Sequence, residues 1–239
     1  MRRLLELNPD ILKIPNVKKE IPDIFKRLKN LMKEIEDYPM EDRFELGVEI
    51  SREISLDENV LDFLVSRADG AFISGILSGI LRARSCVKLR VKRRLNYMGY
   101  RLRKGKIVIV GDVGNRLGYE MEGGEIVVEG NAGNWIGERM KGGAIIVKGN
   151  VGSFLGLRME GGKIVVEGNA RYGVGEKMLG GEIFVKGNVG KDAGREMRGG
   201  VIRIMGKVES FGYRGAGKVY YWKDGRWNER DVDYYIYYK

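Results

Sequence analysis

In the second half of the chain the apolar positions recur in short alternating runs with a strict 19-residue period. Runs such as Ile126-Val127-Val128 and Ile183-Phe184-Val185 are preceded by a glycine pair and followed by a single glycine. Alternation with period two between glycines is typical of β-strands, and a fixed period of about 20 residues is typical of a solenoid. A helix would lose about 1 kcal/mol at each glycine. We therefore predict a mainly β protein in which each repeat forms one coil of a parallel β-helix.

The repeat also predicts which side chains stack inside the column. Equivalent positions on successive coils should lie about 4.8 Å apart and form ladders of similar residues. One asparagine per coil follows a glycine, where stacked amides could hydrogen-bond from coil to coil. One outward position alternates in charge as Glu129, Lys148, Glu167 and Lys186. The predicted inward columns are Ile107, Ile126, Ile145, Ile164, Ile183 and Ile202; Met121, Met140, Met159, Met178 and Met197; and Val113, Ala132, Val151, Ala170, Val189 and Val208.

Residues 1–85 show helical rather than strand periodicity. Apolar residues between Lys19 and Asp37 fall on one face at helical spacing, and further helices are expected near 58–66 and 71–82. Gly75 and Gly79, one helical turn apart, predict tight packing of the third helix against a neighbour. We expect this α-rich region to act as a possible cap, because the open end of a β-helix is an unprotected strand edge.

The β-helix itself is expected over residues 86–217, with 86–104 as a degenerate first turn. Gly99 and Leu102 lie one full repeat before Gly118 and Met121, whereas the strand at 87–91 is out of phase by a single position. This mismatch predicts a bulge or a slip in the first turn.

Residues 218–239 form an aromatic segment that contains six of the 12 tyrosines. The Asp224-Gly225 dipeptide, which lies between the run Val219-Tyr220-Tyr221-Trp222 and Trp227, predicts a β-hairpin. Such a tail could cap the last coil, or it could form a surface for a partner or for self-association.

Composition removes much of the usual catalytic chemistry. The chain has no His and one Cys, Cys86, which excludes a Ser-His-Asp triad, His-ligated zinc and an intrachain disulfide. We predict no catalytic, metal-binding or cofactor-binding residues and therefore no enzyme. No apolar run is long enough to span a membrane, so we expect a cytoplasmic protein. Abundant Lys, Arg and Glu with scarce thermolabile residues fit a thermophile.

A basic segment, here called the basic belt, runs from residue 82 to residue 104. It contains ten Lys and Arg and no acidic residue, in a chain with a net charge of +10. Three interpretations remain open: a solvated outer face, a surface for an acidic protein partner, or a less expected nucleic-acid surface. The candidate partner-binding residues are Arg90, Lys92, Arg93, Arg94, Arg101 and Arg103.

The glycine spacing within each coil resembles a known repeat family. The sequence Gly111-x-x-Gly114-x-x-x-Gly118 recurs at Gly130, Gly149 and Gly187, and the fourth turn departs from it with Arg171 in place of the middle glycine. This pattern resembles the G-x-x-G-x-x-x-G repeat family, which includes the C-terminal domain of the glutamate synthase large subunit and the repeat-containing subunit of formylmethanofuran dehydrogenase. The similarity covers about residues 105–212, and a local deformation is expected at Arg171.

The resemblance implies a right-handed parallel β-helix that holds catalytic units together and carries no catalytic residue or cofactor itself. The expected function is therefore a noncatalytic scaffold subunit of a multisubunit oxidoreductase or amidotransferase assembly, of archaeal type. Its partners would be protein subunits of a larger complex or further copies of the chain. The alternative is a stand-alone module that uses the basic belt to bind an acidic partner or nucleic acid.

Overall fold

The computed structural model describes residues 29–33, 36–53, 64–65, 68–82, 85–213 and 216–230. It confirms the predicted parallel β-helix. The strands are β1 Cys86–Arg90, β2 Lys106–Val110, β3 Glu125–Val128, β4 Ala144–Val147, β5 Lys163–Val166, β6 Glu182–Val185, β7 Val201–Ile204, β8 Lys218–Lys223 and β9 Arg226–Glu229. Each strand from β1 to β7 pairs in parallel with the next, and from β2 to β7 equivalent residues are one repeat apart, as in the pair Ile126–Ile145.

The predicted isoleucine and methionine columns fill the interior of the coils, where every member is buried. The valine and alanine column is buried as well, apart from Val208, which is only partly buried. Glycine is required where coils approach closely: a Cβ on Gly156, which has φ +67°, would lie 2.4 Å from Ile183 Cδ1. The glycine pattern therefore reflects both backbone conformation and the space left by the next coil.

The asparagines connect the coils by a different hydrogen bond from the one expected. The side-chain oxygen of each asparagine accepts from the main-chain N–H of the residue one coil later. Asn131 Oδ1 accepts from Asn150 N–H at 2.9 Å, and Asn150 Oδ1 accepts from Asn169 N–H at 2.8 Å. A second ladder, not predicted, links Asn96, Asn115, Asn134 and Ser153 in the same way. Each bond satisfies a corner amide that the strand ladder does not reach.

The coil after Arg171 differs from its neighbours, as expected for that position. The Gly152 N–H donates to the Gly133 carbonyl at 2.9 Å, but the Gly190 N–H donates to Ala170, the residue before Arg171, at 3.1 Å. The deformation is thus a shift of one hydrogen bond, and the next coil keeps its register.

The first coil is one residue longer than the coils that follow it. Val87 pairs with Ile107, which in turn pairs with Ile126, and the register of β1 against β2 is continuous along the whole strand. The regular spacing resumes at Leu95, whose carbonyl accepts from Gly114 N–H at 3.0 Å. The extra residue therefore lies between Arg90 and Leu95. The predicted mismatch is a slip after the strand and not a bulge within it.

In the described part of the chain, the structure gives the full bounds of two helices before the coils. Helix α2, Gly70–Ile80, matches the predicted third helix and is N-capped by Asp69. Helix α1, Met40–Glu53, was not predicted. Of the other two predicted helices, residues 29–33 and 64–65 are helical, residues 36–38 form a turn, and the remainder lies outside the described residues.

Glycines let the two helices touch, and α2 packs directly on the first coil. A Cβ on Gly75 would lie 2.0 Å from the Phe44 carbonyl oxygen, which confirms the predicted tight contact there. The Ser74 hydroxyl accepts from Gly99 N–H at 2.8 Å. Buried side chains of α2 and of the coils form one continuous apolar cluster, so the helical region covers this end of the β-helix.

At the other end the predicted hairpin continues the sheet. Strand β8 pairs in parallel with β7 and antiparallel with β9. Asp224 and Gly225 both have positive φ, 53° and 76°, as a two-residue hairpin turn requires.

Candidate interaction surfaces

The basic belt does not form one surface, because its residues follow the first coil around its circumference. Four of the six candidate residues are engaged within the chain. Arg94, Arg101 and Arg103 form ion pairs with acidic side chains of the next coil, Asp112, Glu120 and Glu122, at 3.0, 3.0 and 2.8 Å. Arg93 donates to the Ala68 carbonyl. Arg90 and Lys92 are exposed, and Arg84 of the wider belt lies outside the described residues.

A groove of about 500 Å³ separates the helices from the C-terminal part of the belt, and residues of both helices and of the first coil line it. Nearby, the Tyr100 ring is fully buried against Phe44, with ring centroids 5.1 Å apart. Burial raises the pKa of Tyr100 and also that of Tyr119, which stacks on it. This cluster fastens α1 to the first coil.

One corner of the coils carries a row of aromatic side chains and arginines, here called the aromatic corner. The Arg116 guanidinium lies over the rings of Tyr97 and Trp135, at 5.5 and 5.2 Å, and Trp135 stacks on Phe154 at 6.0 Å. Arg116 also donates to the buried carboxylate of Glu138 at 2.9 Å, and this hydrogen bond raises its pKa. These contacts all lie within the chain, which suits a structural stack.

The aromatic corner continues toward the C-terminal coils. Arg195 donates to the hydroxyls of Tyr172 and Tyr213 at 2.8 and 3.1 Å, and these bonds raise its pKa. Between the two arginines, a carboxylate oxygen of Glu176, a buried residue, has no hydrogen-bond partner among the described residues.

Beside this corner a groove of about 630 Å³ runs along the coils; we call it the charged groove. One wall is a column in which every residue has a left-handed backbone, with φ between 49° and 56°. Such φ values are uncommon for residues with side chains, and their recurrence shows that the coil geometry imposes them. The column contains Arg101, Glu120, Arg139, Arg158, Lys177 and Glu196, of which all but Arg101 line the groove.

Ion pairs in this column leave its centre unpaired. Glu120 lies 3.0 Å from Arg101 and 3.9 Å from Arg139, and Glu196 lies 3.8 Å from Lys177. Arg158 is exposed and, within the described residues, forms no ion pair. Lys141, Glu160, Leu179 and Arg198 line the opposite wall.

The outer face of the last strands carries exposed aromatic side chains, here called the aromatic patch. Trp222 and Trp227 pair across the hairpin with ring centroids 5.3 Å apart, and they are 41% and 40% exposed. Trp227 also contacts Phe184 at 6.4 Å, while the Arg203 guanidinium lies 5.8 Å from the Tyr220 ring. The sequence predicted the hairpin and its aromatic content. The structure adds that these rings lie on the same outer face of the sheet as Phe184 of β6 and Arg203 of β7.

The described residues contain no group of three or more His, Cys, Asp or Glu side chains that could hold a metal ion. No helix in the described part of the chain has the length and apolar character needed to cross a bilayer. No protein-family model matches the sequence, and a search of curated proteins finds no match.

Proposed function

We propose that this protein is a noncatalytic scaffold subunit that binds a partner protein on the outer face of its last coils. The observation that carries this proposal is the aromatic patch. Tryptophan, tyrosine and arginine are the residues most enriched at energetically important interface positions. Two tryptophans that are each about two-fifths exposed leave a large apolar area in water, which favours its burial by a partner.

The partner's chemistry follows from the rim of the patch. The hairpin that carries the tryptophans exposes three basic residues, Lys218, Lys223 and Arg226, against two acidic ones, Asp224 and Glu229, and Lys218 lies on the same face as the tryptophans. The whole chain carries a net charge of +10. A partner with an apolar centre and an acidic rim would match both features, since complementary charge guides association and apolar burial holds the complex.

The coils make the patch a firm platform. It lies on strands of one continuous sheet, whose neighbours are joined by main-chain hydrogen bonds and by the asparagine ladders. Side chains held on strands lose little freedom on binding, which lowers the entropic cost of association.

The larger setting remains the one that the repeat family suggests. The proposed assembly is a multisubunit oxidoreductase or amidotransferase, resembling those that contain the glutamate synthase C-terminal domain or the repeat-containing subunit of formylmethanofuran dehydrogenase. The glycine spacing supports this setting and its archaeal type, while the abundance of Lys, Arg and Glu supports a thermophile. The proposed location is the cytoplasm.

The alternative function, binding through the basic belt, has weaker support. Arg94, Arg101 and Arg103 already contact carboxylates, and an incoming polyanion would have to replace those contacts. The remaining exposed candidates, Arg90 and Lys92, supply few phosphate contacts, whereas nucleic-acid affinity rises with their number.

Comparative co-purification from the source organism tests the proposal. The bait proteins are the wild type, a patch variant with Trp222→Ser and Trp227→Ser, and a control variant, Leu179→Ser, which removes an exposed apolar side chain from the charged groove. Circular dichroism establishes that all three are folded. We expect a protein in fixed stoichiometry with the wild type and the control, and its loss with the patch variant.

The recovered protein must then be purified and titrated against the same three baits, with the same ranking of affinities. Equal binding to the patch variant would contradict docking on the patch. Recovery of nucleic acid alone, removable by nuclease, would favour the basic-belt alternative.

A further inference from the structure

We propose that the charged groove is a binding site for a compact diphosphate-class anion, centred on Arg158. The groove lies away from the aromatic patch and is independent of the proposed scaffold function. Its lining contains five cationic side chains and three carboxylates. The cations are Arg139, Lys141, Arg158, Lys177 and Arg198.

The charged groove stacks three cations on successive coils. Arg139, Arg158 and Lys177 occupy the same position on three successive coils, about 4.8 Å apart. These residues lie in the corner turns of the coils, where like charges at this separation repel one another. Such repulsion falls when an anion lies between the cations.

The same protein shows that this repulsion is avoidable. On another outward column the signs alternate, and Lys148 and Lys186 pair with glutamates of the preceding coil at 3.8 and 3.1 Å. The repeat therefore avoids like-charge neighbours on one column but contains three of them in a row on another. We take the stacked cations as the mark of a ligand site.

The central cation of the column, Arg158, forms no ion pair within the described residues. Carboxylates at the two ends of the column, Glu120 and Glu196, lie near Arg139 and Lys177. Arg158, between them, has no ion-pair partner in the described part of the chain, although Glu160 lines the opposite wall, and its guanidinium nitrogens are therefore available. Guanidinium groups bind phosphate oxygens through two parallel hydrogen bonds.

The backbone directs this arginine outward. Arg158 has φ 54°, and its N–H donates to the Glu176 carbonyl of the next coil at 2.9 Å. The left-handed conformation and the hydrogen bond fix where the side chain leaves the coil. The site is therefore built on the rigid column.

The ends of the groove define the size of the anion. Glu120 and Glu196 would repel a polyanion that continued along the column, such as a nucleic-acid strand. The three central cations span two coil spacings, about 10 Å, which suits two linked phosphates. Leu179, 49% exposed on the opposite wall, offers apolar contact for an organic group attached to the diphosphate.

Isothermal titration of the full chain with inorganic pyrophosphate at low salt tests this site. We expect saturable binding at one site per chain and at least about tenfold weaker binding for Arg158→Gln, because charged phosphate contacts are lost. Arg158→Lys keeps the charge without the paired donors and should bind with intermediate affinity. The matched control is Arg171→Gln, an exposed arginine on a different corner, which should bind like the wild type.

Circular dichroism of each variant separates loss of the site from loss of the fold. An unsaturable heat signal, or equal affinities for the wild type and Arg158→Gln, would overturn the proposal. Tighter, length-dependent binding of a single-stranded oligonucleotide at this site would also overturn it. None of these three results would bear on the partner protein, whose binding is measured at the aromatic patch.

Discussion

Tyr100 shows how much of the stability at the N-terminal end depends on single side chains. It is among the largest fully buried side chains, and its hydroxyl has no hydrogen-bond partner among the described residues. Phe44 contacts its ring edge to face, and Tyr119 stacks on it. The ring therefore contributes apolar burial, while the hydroxyl contributes a desolvation cost.

Replacing Tyr100 by Phe should retain the apolar contacts and remove this cost. We expect Tyr100→Phe to raise the free energy of unfolding by about 1 kcal/mol near neutral pH, as measured by urea denaturation. Tyr220→Phe, a half-buried tyrosine on the outer sheet face, is the control. A loss of stability in Tyr100→Phe would show that the hydroxyl is bonded in the folded protein.

The raised pKa of Tyr100 also predicts an alkaline effect. Because the folded protein holds this proton more tightly than the unfolded chain, the wild type keeps its stability below the usual tyrosine pKa of about 10 and loses it as the pH rises further. Tyr100→Phe should lose less stability above that pH, although Tyr119, whose pKa is also raised, leaves part of the effect. Equal alkaline losses in both proteins would contradict the assignment.

The asparagine ladder is the element that links one coil to the next at its corners. Its first acceptor is a carboxylate: Asp112 accepts from Asn131 N–H at 2.8 Å, and this bond lowers the Asp112 pKa. A carboxylate oxygen can therefore replace the amide oxygen in this ladder. The substitution supplies a matched pair of variants.

Asn150→Ala removes the acceptor for the Asn169 N–H and should lower the free energy of unfolding by about 1 kcal/mol. Asn150→Asp keeps an oxygen at that position and should retain most of the stability near neutral pH. Thermal unfolding of both variants beside the wild type provides the measurement. Equal losses in the two variants would mean that the acceptor oxygen at this position does not stabilise the protein.

The contact between the helices depends on glycine rather than on apolar side chains. Gly75→Ala would bring a Cβ within 2.0 Å of the Phe44 carbonyl oxygen and should separate α1 from α2. We expect faster hydrogen exchange in α1 with unchanged protection in β3–β7, since coils in a solenoid depend mainly on their neighbours. Uniform loss of protection along the chain would contradict this local effect.

The coils could be predicted from sequence because their periodicity repeats without interruption. Helix α1 could not, since Phe44, Leu46, Val48 and Ile50 alternate with a period of two, which is typical of a strand. Its helical form depends on the close approach of α2 at Gly75, a contact distant in sequence. The extra residue of the first coil was visible in the sequence as a difference in phase between the strand at 87–91 and the glycine pattern. Only the strand register locates that residue after Arg90.

The surfaces were less predictable than the core. Clustering of basic residues in sequence suggested one belt, yet the coil spreads those residues around its circumference. The charged groove was present in the sequence as a series with the repeat period, from Arg101 to Glu196. Recognising it required the left-handed corner backbone, and side chains such as Arg158 give no local sign of that conformation.

At the scale of the whole molecule, the two ends of the column differ. Helices cover the first coil, which carries the basic belt, and most of the candidate belt arginines are engaged within the chain. The last coils end in a hairpin whose outer face exposes Trp222 and Trp227. This asymmetry predicts that a partner protein binds the hairpin end and leaves the helical end in solvent.

Hydrogen–deuterium exchange of the protein, free and bound to the partner recovered by co-purification, tests the scaffold proposal most directly. We expect slower exchange on binding in β8 and β9 and in the neighbouring strands β6 and β7, with no change in α2 or β1. Slower exchange confined to α2, β1 or residues 91–104, with β8 and β9 unaffected, would contradict it.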